Sequence, residues 1–115
     1  LAYGWIERDI NIDESFKMLT EAYNSNPDSY YILDSLAWAH YKKKEYKKAA
    51  ELMEKVIDMA PGEAISLDHL GDIYLAMNRK REAIYFWNQA KDLAEPEDEI
   101  TDQVEEKLRL PSLLL

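Results

Sequence analysis

Asp34, Trp38, His40 and Tyr41 lie together in LDSLAWAHY, and Asp68, His69 and Asp72 lie together in LDHLGDIYL. Their side chains are the ones best equipped for chemistry. An imidazole flanked by two carboxylates is the beginning of a divalent metal site. A metal needs a richer ligand set than His69 with Asp68 and Asp72, and His40 is the only other histidine. The carboxylate pairs Glu14/Glu21, Glu95/Glu97 and Glu105/Glu106 carry no sign of a cleft that would lift one pKa for acid catalysis. The absence of Cys excludes disulfides, thiolate metal sites and cysteine nucleophiles. No GxGxxG, phosphate loop or GxSxG occurs. The expectation is no enzyme, no cofactor and no metal, which leaves binding as the use of these residues.

Composition narrows the partner. The formal net charge is −9 over 115 residues, so phosphate backbones are repelled and nucleic acid is not expected. The basic run KKKEYKK, 42–48, reads as a solvated helix end and loop. No apolar stretch approaches the ~20 residues of a membrane span. With 47% apolar residues, 3 Gly and 4 Pro, the chain reads as one small helical domain, soluble and either cytoplasmic or periplasmic.

The elements that must position these side chains come in copies. LDSLAWAHYKKKEYKKAAELMEKVIDMAP aligns with LDHLGDIYLAMNRKREAIYFWNQAKDLAEP. Leu33 pairs with Leu67, Leu36 with Leu70, Ala37 with Gly71, His40 with Tyr74, Ala49 with Ala83 and Met53 with Trp87, each 34 apart. Stepping back by 34 reaches Ser15, Leu19 and Pro27 of an earlier copy. Each copy reads as two helices. Leu33, Leu36, Ala37 and His40 form one stripe, and Ala49, Leu52, Met53, Val56 and Ile57 form the next. The four methionines read as core or inter-helix packing.

The division expected is 1–27, 28–61 and 62–96 for three repeats, 97–110 for a capping helix and 111–115 for a tail. The capping helix shows Ile100, Val104 and Leu108 on one side and acidic residues at its start. The first copy lacks the first turn of its leading helix, and the chain opens on LAYGWIERD without a Met. It reads as a piece of a longer array.

A 34-residue helix–turn–helix with Leu67, Leu70-Gly71, Tyr74, Ala83, Trp87, Ala90 and Pro96 at these spacings resembles the tetratricopeptide repeat. The stretches GWIERDINIDES, DSLAWAHY and DHLGDIYL are also similar to the C-terminal repeats of bacterial tetratricopeptide-repeat proteins. The resemblance implies an all-α, right-handed superhelical solenoid whose concave surface is lined by leading helices and holds a peptide or partner helix. At ~100° per residue, Tyr31, Asp34, Trp38 and Tyr41 share a face beside the buried stripe. Ile65, Asp68, Asp72 and Leu75 occupy the equivalent face of the third copy, and Tyr3 and Ile6 that of the first. The expected groove is acidic and aromatic and suits a segment carrying Lys or Arg and apolar residues. Members that clamp a free carboxylate use Lys, Arg and Asn there. Asp34, Trp38, Asp68, His69 and Asp72 stand in comparable places, so that ligand is not expected. The second reading is a structural segment. Its groove or open N-terminal end is filled by its own chain or by a second copy.

Overall fold

Apolar side chains recurring every three to four residues fold residues 12–109, the part that the computed structural model describes, into helices. Tyr3, Ile6 and the LPSLLL segment at 110–115 lie outside the described residues. The described α-helices are α1 (Ile12–Ser25), α2 (Tyr30–Lys42), α3 (Tyr46–Met59), α4 (Ala64–Ala76), α5 (Lys80–Leu93) and α6 (Thr101–Arg109), with a 3-10 turn at Pro96–Asp98. None of them is long and apolar enough to cross a membrane. Helices α2 and α3 pack as one pair and α4 and α5 as another. Beyond these pairs, α1 lies on α2, α3 on α4 and α5 on α6. The architecture is an all-α solenoid of stacked helix pairs.

Local chemistry sets where the helices begin and end. The Ser29 hydroxyl accepts from the Ile32 amide at 3.3 Å and caps α2. Helix α2 ends where Lys44 turns left-handed at φ 64°, and α4 ends where Asn78 does so at φ 61°. Behind Lys44, the Glu45 amide donates to the His40 carbonyl and the Lys44 amide to the Tyr41 carbonyl. Arg79 and Asn78 repeat this with Tyr74 and Leu75, one repeat later. The same backbone device therefore bends both pairs.

The core falls on the repeated positions. Leu33, Ala37, Ala49, Met53 and Val56 are fully buried, as are Leu70, Ala83, Trp87 and Ala90. Ser15, at the Ala49 and Ala83 position, is buried too. Gly71 is required by its neighbour: a Cβ there would stand 2.4 Å from Cδ1 and Nε1 of the Trp87 indole. Met53 is core, but Met18 and Met59 are 40% and 39% exposed, against the packing role expected of them. Both sit at the edge of their stripe, where the thioether is left outside.

The capping helix begins at Thr101, later than the expected Glu97. Pro96 opens a 3-10 turn in which the Glu95 amide donates to the Asp98 carboxylate at 2.9 Å, and the Asp98 amide donates back to the Glu95 carbonyl. Glu99 then turns left-handed, at φ 55°, and breaks the run. The sticky side survives: Ile100 and Val104 are buried and Leu108 packs on the core.

Candidate partner-binding face

The leading helices α2 and α4 carry the described candidate residues. Tyr31 is 66% exposed at the start of α2. It lines, with Tyr30, Asp34, Ser35, Glu63 and Ile65, a cavity of about 170 Å³ between the two helices. The Tyr30 hydroxyl lies 3.5 Å from the Glu63 carboxylate at this mouth. An aromatic and aliphatic wall with carboxylates at its rim suits an apolar side chain next to a cationic one.

Deeper in the face the picture changes. Trp38 is only 6% exposed. Its ring is sandwiched between Tyr41, at 4.4 Å and 18°, and His69 of α4, at 4.1 Å and 20°. The sequence placed Trp38 in an open groove; the approach of α4 buries it, so it backs the face and is no exposed anchor. The Lys42 ammonium stands 5.9 Å from the Trp38 ring centre. The Trp38 Nε1 has no hydrogen-bond acceptor among the described residues.

The three aspartates already have partners within the chain. Asp34 accepts from the Ser66 hydroxyl at 2.5 Å through Oδ2 and meets His69 Nδ1 at 3.0 Å through Oδ1. Asp68, 5% exposed, receives the Lys107 ammonium at 2.8 Å. Asp72 receives the same ammonium at 2.9 Å and the Trp87 indole N–H at 3.1 Å. The free-standing acidic row expected from the sequence is thus a set of clasps, each tying a leading helix to the unit that follows. His69 turns its Nδ1 to Asp34, so it does not aim that nitrogen at the Asp68–Asp72 pair. Ile65 and Leu75 are half-buried beside these groups.

The protonation states follow from these contacts. Burial alone would push the His69 imidazole down, but the hydrogen bond and charge of Asp34, helped by Asp68 and Asp72, raise it. Burial lifts the Asp72 carboxyl against the pull of Lys107. Burial, and then the Asp72 charge, raise the Tyr41 phenol, while Lys107 lowers it. Asp72 and Lys107 therefore act on α2 as well as on α4.

Ser66 and Lys107 were not singled out by the sequence. Nothing in their spacing marks them, because their partners lie 32 and 39 residues away along the chain. His40, expected as a partly buried packing ring, meets Phe16 edge-on at 4.8 Å and Glu45 at 3.0 Å.

Stacked helix pairs with leading helices on one side define a helical-repeat scaffold. Residues 30–63 match the family model described as tetratricopeptide repeat. That stretch, from the start of α2 to the residue before α4, is similar to one tetratricopeptide repeat. The fold is similar to that of the type III secretion translocator chaperone SycD of Yersinia enterocolitica, with TM-score 0.86, 15% identity, and 99% of this chain and 79% of that one covered. It is similar to PcrH, solved in complex with the chaperone binding region of PopD, with TM-score 0.84, 14% identity and coverages of 99% and 86%. The first tetratricopeptide unit of Spaghetti (RPAP3), solved with the HSP90 peptide SRMEEVD, matches at TM-score 0.73, 13% identity and coverages of 95% and 88%. At these identities the likeness is one of fold. No curated protein matches the sequence significantly.

Proposed function

We propose that this chain is a non-catalytic interaction module that holds an apolar and basic peptide or helix against the face made by α2 and α4. Its units are residues 1–27, 28–61 and 62–96, closed by the helix that follows. The observation that carries this reading is the cavity between α2 and α4, with Tyr31 66% exposed at its mouth. Tyr buries large area at low entropy cost and is a frequent interface anchor. PcrH and the Spaghetti unit, both solved with a bound partner segment, support the same use of the fold here. The Glu63 carboxylate at the mouth argues against an acidic segment such as SRMEEVD. Tyr31 replaces the buried Trp38 as the anchor, with Ile65 beside it and Leu75 farther along.

Two synthetic peptides of equal length test this, one of leucine and lysine, the other of leucine and glutamate. The first should bind and the second should not, by fluorescence anisotropy. Tyr31→Ala should weaken binding about tenfold, roughly 1.4 kcal/mol. Tyr85→Ala, an exposed tyrosine on α5, should leave it unchanged. Equal effects in the two variants would show that the Tyr31 mouth is not where the peptide binds and sink the reading.

The second reading, a groove filled by the chain itself, is favoured by Lys107 on the Asp68–Asp72 pair. For filling by a second copy, sedimentation at high concentration decides: a monomer throughout removes it.

A further inference from the structure

The Asp68–Asp72 end of the face is occupied by a cation of the chain itself. The Lys107 ammonium lies 2.8 Å from Asp68 Oδ1 and 2.9 Å from Asp72 Oδ1, and 5.7 Å from the centre of the Trp87 ring. Two carboxylates one helical turn apart, at 8% and 20% side-chain exposure, cannot both stay charged without a counterion. The ammonium supplies that counterion from outside the helix pair, on the flexible stem of a short helix. Charge, aromatic ring and depth are those that a partner's lysine would meet.

The geometry points to Lys107 as the specificity-determining residue of the groove, an internal stand-in for a partner's cation at the Asp68–Asp72 subsite. This rests on the proposed binding face and fixes its charge preference. With Lys107 in place, that end of the face takes an uncharged residue of the partner. A partner's cation is read instead at the mouth formed by Tyr30, Tyr31 and Glu63. Removing the ammonium turns Asp68 and Asp72 into an acceptor for an alkylammonium. Stacking joins this end to the face on α2: Tyr41 lies on Trp38, and Trp38 lies on His69, the neighbour of Asp68.

The test is chemical rescue of Lys107→Ala by n-butylammonium chloride, read as Tm, with sodium chloride at equal ionic strength as the blank. Lys107→Ala should melt below the wild type and recover, with saturation, in n-butylammonium. The wild type should gain nothing over the blank. Adding Asp68→Asn and Asp72→Asn should abolish the recovery. Recovery no greater than in sodium chloride, or persisting in the triple variant, overturns the subsite. If Lys107→Ala does not fold, Lys107→Met, which keeps the stem, takes its place with methylammonium chloride as the rescuing cation. In a second arm, the leucine–lysine peptide should bind Lys107→Met at least tenfold more tightly than wild type. Equal affinity overturns the specificity role. A peptide that binds neither chain counts against the groove itself, while the n-butylammonium result still decides the subsite.

Discussion

The imidazole of His69 is held where a neutral ring would be the default. It is 6% exposed and lies flat on Trp38, yet Asp34, Asp68 and Asp72 face it and keep it charged to a higher pH than usual. A raised folded-state pKa means that the folded chain binds the proton more tightly than the unfolded one. The stability this adds is fully present below the ordinary imidazole value of 6.5 and is lost as pH rises through the folded value. The urea midpoint should therefore fall as pH rises above about 6.5. Asp34→Asn should lower stability on the order of 1–3 kcal/mol at pH 6 and flatten most of that decline. An unchanged slope would show that another group is responsible. Helical spacing put Asp34 and Trp38 on one face of α2 and Asp68 and Asp72 on the equivalent face of α4. It could not show that Asp34 would be consumed by Ser66 and His69, because periodicity reports which way a side chain points and not what arrives from the next unit.

At the scale of the helix, Gly71 sets one rule against another. Gly to Ala inside a helix ordinarily gains about 0.8–1 kcal/mol. Here the added Cβ would meet the Trp87 ring at 2.4 Å, and the ring is fixed by its bond to Asp72. Overpacking of this kind costs about 1–3 kcal/mol, so the clash wins. Gly71→Ala should lower the thermal midpoint, and it should cost less in a Trp87→Leu background than in the wild type. A stabilised single variant would mean that α5 shifts freely, contrary to the close packing of α4 on α5. The pairing of Gly71 with Ala37, and of Trp87 with Met53, was legible in the 34-residue register. The register marked Gly71 as a small residue that lets helices approach; that the Trp87 indole fills the space over it comes from the structure. The start of α6 was not legible. Glu97, Asp98 and Glu99 look like the acidic first turn of a helix, but Asp98 bonds back to the Glu95 amide and closes a turn of its own.

Over the whole molecule, a solenoid owes its stability to each unit and to the interface with the next, so an outer element opens more easily than an inner one. Helix α6 is outermost toward the C-terminal end of the described residues. Its fully buried side chain is Val104, flanked by Ile100 and Leu108, and Lys107 ties it to α4. Helix α4, by contrast, buries Ala64, Leu67, Leu70 and Ile73 between α3 and α5. Amides of 101–109 should exchange with solvent before those of α2 to α5. Val104→Ala removes two methyl groups from a packed site and should lower the opening free energy of α6 by about 2 kcal/mol. Its amides should then exchange roughly thirtyfold faster while those of α4 hold their rates. The two contacts that join α6 to the solenoid are then separable: apolar packing on α5 sets how often the helix opens, and the Lys107 clasp sets what α4 loses when it does. If the α4 amides accelerate in step with those of α6, the clasp has fused the cap and the last pair into one cooperative unit. Lys107 would then be a structural tie and not an exchangeable counterion.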